Sequence, residues 1–459
     1  MLGNLLKPEL EELLQAKDYA ALRDALSDMH PADVAEVIED LPPEGSGIVF
    51  RVLRRETAAT VFEYLSVDQQ TEVVSTLGTE QLMGLLNEMA PDDRTRLFEE
   101  LPAEVTKRAL TTLRPEELKV ARQLLGYPED SAGRYMTPDY VALKPGMTAG
   151  EALDYIRQYG KGAETLNVVY VVDEKGRLLD DLRLADLVMA ASTRTLSEMD
   201  DQHVFSIPAT ADREEVVKAF EKYDRVALPV TDSQGILVGI ITVDDVLDVA
   251  EKEATEDIHG LGGVEALDAP YFDVSFFAMV KKRGGWLSLL FLGEMLTATA
   301  MTAFQGELEK AIVLNLFLPL IISSGGNSGS QATSIIIRSL ALEEVRLRDW
   351  WRVASRELAS GLTLGLLLGG IGFIRIWIWA RVFHLYGPHF TLVGAAVGIS
   401  LVGVVLYGNL VGSMLPFILR RLGFDPAKAS APFVATLVDV SGLIIYFEVA
   451  KALFRGTLL

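Results

Sequence analysis

The chain has 459 residues, with 42 Lys+Arg against 64 Asp+Glu, a formal net charge of −22 and no cysteine. The missing thiols exclude disulfides and thiolate metal sites, and the acidity argues against nucleic acid as a partner. Charge is divided unevenly: residues 276–459 carry 16 basic against 10 acidic side chains (+6), and residues 1–275 carry 26 against 54 (−28). An acidic block of that size repels itself and attracts cations.

The chain begins MLGNLLKPELEELLQ, which lacks the long apolar core of a signal peptide, so the acidic half is expected in the cytosol. Up to about residue 126 the pattern is one of short helices. Breaks at Leu41, Leu65, Leu77, Met89, Leu101 and Leu113 recur every 12 residues or so, the period of a stacked helical superhelix. Acids follow each break, as at Val67-Asp68, Thr79-Glu80, Asp92-Asp93 and Ala103-Glu104, which is helix-start chemistry.

A second repeat starts at Met136. MTPDYVALKPGMTAGEALDYIRQ followed by NVVYVVDEKGRLLDDLRLADLVMA matches HVFSIPATADREEVVKAFEKY followed by RVALPVTDSQGILVGIITVDDVLDVA. The period is about 60 residues, so Asp173 corresponds to Asp232 and Asp186 to Asp245. Each copy predicts a strand, a helix, two β-branched strands joined by an Asp/Gly turn, and a helix with an acidic start. The pair resembles tandem CBS domains, a regulatory module that often binds adenine nucleotides. An acidic helix, DDVLDVAEKEATEDIH (residues 244–259), then leads through a glycine-rich stretch to Lys281, Lys282 and Arg283.

Five apolar segments reach spanning length, about 20 residues each, near 285–304, 311–338, 357–382, 390–419 and 432–454. Basic residues at Lys281–Arg283, at Arg346, Arg348 and Arg352, and at Arg420, Arg421 and Lys428 mark the cytoplasmic ends. Lys310 and Arg381 stand on the other side, giving a cytosolic N-terminus and an outside C-terminus. Gly361, Gly365, Gly369 and Gly372, with Gly394 and Gly398, recur at helical spacing and predict close helix packing. Arg375 is placed to snorkel to an interface.

Two features sit at membrane depth against the rule of apolarity. Asp439 lies inside APFVATLVDVSGLIIYF, and an intramembrane carboxylate costs several kcal/mol unless it faces water, a cation or a protein partner. The stretch PLIISSGGNSGSQATSIIIR supplies neutral oxygens and amides at Asn327, Ser328, Ser330, Gln331 and Thr333, a composition expected to line a cavity. Magnesium gives up its water reluctantly, so few carboxylates and many neutral groups suit a hydrated divalent ion. These residues point to a divalent-cation pathway. The five histidines form no His-Glu-x-x-His pattern, which argues against an intramembrane metalloprotease. The rival transport reading is a proton-coupled secondary transporter of Mg²⁺, Co²⁺ or Mn²⁺ with Glu294 and Asp439 as relay carboxylates.

The order of parts, with GGNSGSQATSIIIRSLA (325–341), NLVGSMLPFILRRLGFDP (409–426) and FVATLVDVSGLIIYF (433–447), resembles the MgtE family of magnesium channels over essentially the whole chain. The resemblance implies an acidic helical superhelix at 1–128, CBS domains at 129–195 and 196–250, a connecting plug helix and linker at 244–275, and a five-helix pore domain at 276–459. It also implies a non-enzymatic homodimer in the cytoplasmic membrane that imports Mg²⁺ through a pore lined by the second and fifth helices, with Asp439 at its centre. By the same resemblance, regulatory magnesium ions that close the pore fall on Asp92, Asp212, Glu214, Asp224, Asp245, Asp248, Glu253, Glu256, Asp257 and Asp425. The chain departs from the family's pattern at Thr60 and Ala431. Asp186 keeps a ribose-binding position for ATP, while Val168 and Arg225 stand where aromatic stacking partners would be expected.

Overall fold

The computed structural model describes residues 2–41, 43–199, 203–267, 271–272, 274–306 and 312–455, and leaves aside the side chains of 2–7, 11, 40, 43–44, 56, 67–68, 75–76 and 100. Lys310 therefore lies outside the described residues. Two compact units emerge, Met1–Glu251 and Lys252–Leu459.

The first unit opens with ten short helices: α1 (Leu2–Ala16), α2 (Tyr19–Ser27), α3 (Pro31–Asp40), α4 (Pro43–Val52), α5 (Arg55–Glu63), α6 (Val67–Thr76), α7 (Thr79–Leu86), α8 (Pro91–Glu100), α9 (Ala103–Leu110) and α10 (Pro115–Leu124). Proline stands at the first turn of α3, α8 and α10, where a missing N–H costs nothing. Leu41, Leu77 and Leu101 end their helices in extended conformation and are buried, so the same leucine stops a helix and fills the core. Helices pack next-but-one, α3 on α5, α5 on α7, α7 on α9, and α6 on α8 on α10, which makes a superhelix around one continuous core. Arg94 is fully buried in it, donating from Nη1 to the Leu86 carbonyl at 2.9 Å and pairing with Glu117 at 2.5 Å.

After a short turn, α11 (Ala132–Tyr135), come two copies of one small motif. The first is β1 (Ala142–Leu143), α12 (Ala149–Tyr159), β2 (Val168–Val172), β3 (Leu178–Arg183) and α13 (Leu184–Met189). The second is β4 (Ile207–Pro208), α14 (Arg213–Tyr223), β5 (Ala227–Thr231), β6 (Leu237–Thr242) and α15 (Val243–Leu261). In each sheet the first strand pairs parallel and the last antiparallel with the middle one, and register slips at the same place, Val171/Val172 and Val230/Thr231. The matched turns use the same device. Asp173 Oδ1 accepts from Lys175 and Arg177 N–H, and Asp232 Oδ1 accepts from Gln234 and Ile236 N–H. Gly176 (φ +80°) and Gly235 (φ +77°) take the left-handed step that each turn requires. The two copies are tied to each other by Leu178 N–H to the Gly235 carbonyl and Leu237 N–H to the Gly176 carbonyl, each at 3.0 Å.

Among the described residues, the second unit contains five helices long and apolar enough to span a bilayer: α16 (Phe276–Ala303), α17 (Leu318–Ala341), α18 (Trp350–Phe383), α19 (Phe390–Arg421) and α20 (Ala431–Phe454). Their bounds differ from the sequence expectation in two ways. The first and third begin earlier, at Phe276 and Trp350, because the hydrogen-bond ladder continues through charged residues that an apolar window ignores. The second begins later: Ile312–Phe317 is a 3₁₀ turn, and the α-helix opens only at Leu318, with Pro319 in its first turn. α18 and α19 pack along their glycines as expected. A Cβ on Gly365 would lie 2.8 Å from Val402 Cα, and one on Gly369 2.6 Å from the Gly398 carbonyl. Arg375 lies over the Trp379 ring, 5.4 Å from its centre, a pairing of a cation with an aromatic face.

Candidate functional site

In the second unit, the polar stretch of α17 divides into two faces. Gly325, Gly326, Ser328, Gly329 and Thr333 are buried. Ser328 donates to Asn409 Oδ1 on α19, and Thr333 Oγ1 reaches the Gly412 carbonyl at 2.9 Å. Asn327 and Gln331 are exposed on the other face. Only that face fits the expectation of lining a cavity. The buried face knits helices together, because Gly325 and Gly329 on one helix and Gly408 and Gly412 on the other let the backbones approach within hydroxyl reach.

Asp439 on α20 has neither a hydrogen-bond nor an ion-pair partner among the described residues. Its Oδ1 lies 3.4 Å from where a Cβ on Gly326 would stand, an ordinary contact distance that puts the carboxylate against this turn of α17. Glu294 of α16 is near enough to act on it electrostatically. Ser330 Oγ donates to the Ala431 carbonyl at 3.1 Å, which joins the middle of α17 to the start of α20. Ser430 caps α20, accepting from Phe433 N–H at 3.4 Å and from Trp286 Nε1–H at 3.0 Å. Asp425 lies just before, exposed, with its Oδ1 accepting from Ala427 N–H at 2.8 Å.

In the first unit, acids from four elements converge on α8 and the start of α15. Asp92 is 8% exposed, and its Oδ1 has no hydrogen-bond partner. Burial, then Asp245, Asp93 and Glu164, push its carboxyl well above the usual range. Asp245, whose Oδ2 accepts from Thr242 at 2.7 Å, is pushed up to about 7, chiefly by burial. Burial followed by Asp93 also raises Glu63 to about 7. Asp93 and Glu164 are raised as well, again mainly by burial. Arg96 answers part of this charge, with Nη2 at 2.7 Å from Asp93 and Nη1 at 2.7 Å from Asp248.

The other expected ligands are dispersed. Asp212 caps α14 by accepting from Glu214 N–H at 2.9 Å, and Glu214 itself pairs with Lys218 at 3.0 Å. Asp224 ends the same helix in left-handed conformation (φ 48°). Glu253, Glu256 and Asp257 are half-buried on α15 in the second unit. Among the described residues no three His, Cys, Asp or Glu side chains converge as a ready metal-ligand set. Sequence reasoning missed Glu63, Asp93, Glu164 and Arg96 as members of the α8–α15 cluster, because only the fold brings them together.

Between the two CBS-like copies lies a cavity of about 720 Å³, lined by Asn167, Val168, Arg183, Leu184, Ala185, Val188, Met189, Asp224, Arg225 and Val226. Its aliphatic walls suit a flat apolar ring. Both guanidiniums are engaged: Arg225 with the buried Asp181, and Arg183 with Asp186 at 2.9 and 3.2 Å. Asp186 does not itself line the cavity.

Comparison with known proteins adds a consistent result. Residues 318–449 match a family model described as a divalent cation transporter (MgtE), residues 29–130 the MgtE intracellular N domain, and residues 132–193 and 196–252 the CBS domain. The magnesium transporter MgtE of Thermus thermophilus is 43% identical over 350 residues, 76% of each chain. That of Enterococcus faecalis is 33% identical over 74% of this chain and 73% of its own. The crystal structure of the cytosolic domain of the Mg²⁺ channel MgtE in complex with ATP covers 53% of this chain and 100% of its own, at 39% identity and TM-score 0.51. The soluble part of a magnesium transporter covers 55% and 99%, at 26% identity and TM-score 0.52. The chain belongs to the MgtE family.

Proposed function

We propose that this protein is a Mg²⁺ channel of the cytoplasmic membrane that imports magnesium and is closed by magnesium bound to its acidic cytosolic part. The observation that carries the reading is Asp439, a partnerless carboxylate on a membrane helix beside the glycine-lined edge of α17. Asn327 and Gln331 supply neutral oxygens on the same helix for an ion that keeps its water. A single unpartnered carboxylate, Asp439, contributed by each of two chains suits a two-fold pore, so the functional unit is a homodimer with α17 and α20 at its axis and the C-terminus outside. The named relatives are transporters, and no catalytic role is assigned to this chain.

The working division is a helical N domain at 1–128, CBS domains at 129–195 and 196–250, the plug helix and linker at 244–275, and the pore domain at 276–459. Regulation resides in the cluster around Asp92. Its orphaned, buried Oδ1 and the surplus of acids over Arg96 favour a divalent cation; because Asp92, Asp93, Asp245 and Asp248 form no ready ligand set in this arrangement, closure would draw them together around the ion. Asp212, Glu214, Asp224, Glu253, Glu256, Asp257 and Asp425 supply further weak sites. Each bound ion biases the closed form by its differential affinity. The cavity between the CBS copies takes an adenine nucleotide such as ATP, with the aliphatic walls around the base, Arg183 in its lining and Asp186 reaching it only through its pairing with Arg183.

A second reading, proton-coupled transport, is favoured by Glu294 acting on Asp439. Liposomes containing only this protein separate the two. Mg²⁺ entry that ignores a pH gradient and falls when millimolar Mg²⁺ bathes the cytosolic face supports the channel. Entry that requires the gradient supports coupled transport instead.

A further inference from the structure

A string of three side chains crosses the second unit away from Asp439. Ser328 of α17 is 7% exposed and donates its hydroxyl to Asn409 Oδ1 of α19, itself 3% exposed. Asn409 Nδ2 in turn donates to Glu357 Oε2 of α18 at 3.2 Å. The space for this link is built in: a Cβ on Gly361, one turn beyond Glu357, would stand 3.2 Å from Asn409 Cβ and 3.4 Å from its Nδ2. Among the described residues, no other hydrogen bond ties the middle of α17 to a carboxylate.

The string has a direction set by donor chemistry. A carboxylate only accepts, which commits the Asn409 amide nitrogen to Glu357. Its carbonyl is then turned to α17, where it accepts from Ser328. That bond fixes the rotation of α17 at the turn that contains Gly326, whose Cα edge meets Asp439 Oδ1, and Asn327, the exposed amide next to it. Ser328 and Asn409 are buried and Glu357 half-buried, and in such a connected polar string losing one member leaves a buried neighbour unsatisfied.

We infer that Glu357, acting through Asn409 and Ser328, is a positioning residue that sets the placement of α17 against Asp439 and thereby the discrimination between divalent cations. Glu357 does not touch the ion. The inference rests on the reading of Asp439 as the ion-selecting centre. Discrimination by a hydrated-ion site depends on group placement at the scale of a fraction of an ångström, so loosening the anchor changes selectivity before it changes assembly.

The test uses full-length protein in liposomes, with Mg²⁺ and Ca²⁺ entry measured separately. Glu357→Ala and Ser328→Ala are each expected to lower the Mg²⁺-over-Ca²⁺ ratio roughly fivefold, the change matching one hydrogen bond of ordinary net strength. The double variant should lower it no further than either single one, because both cut the same string. Glu357→Gln keeps an acceptor oxygen and should restore the ratio to near the parent value. A merely structural role predicts lower yield or melting temperature with an unchanged ratio, and that result overturns the inference. So does a Glu357→Gln variant indistinguishable from Glu357→Ala. Should Glu357→Ala fail to fold, the ratio in Ser328→Ala decides alone. Asp439→Ala run in parallel separates the two levels: an inactive Asp439→Ala with an unchanged ratio in the string variants removes only the positioning role. A conducting Asp439→Ala removes the pore reading and this inference with it.

Discussion

Asp92→Asn should stabilise the first unit when magnesium is absent, although it removes a residue proposed to bind the regulatory ion. The side chain is 8% exposed, its Oδ1 is unsatisfied, and Asp245, Asp93 and Glu164 all act to keep it protonated. An amide cannot ionise, so it spares the cost of holding this buried carboxyl protonated at a pH where the unfolded chain would ionise it, a penalty of about 1–3 kcal/mol for a buried polar group of this kind. For a unit of about 250 residues that corresponds to a rise in melting temperature of about 2–12 °C. Differential scanning calorimetry of the full chain in EDTA at pH 7.5 reads it directly. All five tryptophans lie at or beyond Trp286, in the second unit, so tryptophan fluorescence serves as a control that should not move. The pH dependence has a definite sign. Glu63 and Asp245 are raised to about 7 by burial, and Asp92 is raised as well. Carboxyls raised in the folded state contribute stability that is fully present below their unfolded values, near 4, and is lost as pH rises through about 7. The magnesium-free parent should therefore gain stability from pH 7.5 down to about pH 4, and the advantage of Asp92→Asn should disappear over that window. A variant that melts at or below the parent at pH 7.5, or an advantage that persists at pH 4, refutes the description of this cluster.

Three other outcomes follow from particular contacts. Arg96→Gln removes the cation held at 2.7 Å from both Asp93 and Asp248, and should cost the first unit about 1 kcal/mol in EDTA, a loss that added Mg²⁺ reverses. Calorimetry with and without Mg²⁺ checks it. Gly369→Val drives side-chain atoms into the Gly398 carbonyl, only 2.6 Å from a Cβ, and should destabilise the α18–α19 pair by about 1–3 kcal/mol in a denaturing-detergent titration. Arg225→Ala removes the guanidinium paired with Asp181, 5% exposed, and should lower first-unit stability by about 1–3 kcal/mol in urea melts followed by circular dichroism.

Much of the architecture was legible because it is written in local periods. The leucine breaks from Leu41 to Leu101 became helix ends, the repeat placed Asp173 and Asp232 in equivalent turns, and five apolar runs became five long helices. Helix ends within charged sequence were not legible, since backbone hydrogen bonding through Lys281–Arg283 leaves no hydropathy signal. Long-range pairings were hidden for a different reason. Arg96 and Asp248 are 152 residues apart, and nothing local distinguishes either from a solvated helix charge. The same holds for Asn409, 52 residues from Glu357 and 81 from Ser328. The glycine pattern forecast that helices would approach closely, but not that Ser328 and Thr333 would spend their hydroxyls on α19 while Asn327 and Gln331 stayed exposed.

The central claim concerns Asp439 and an ion that closes its own path. Current through the purified parent protein and through Asp439→Ala, with Mg²⁺ as the sole permeant cation, tests it most directly. The parent should conduct and fall silent as cytosolic Mg²⁺ reaches the millimolar range, and Asp439→Ala should assemble normally but carry no Mg²⁺ current at any concentration. Parent-like current through Asp439→Ala would contradict it.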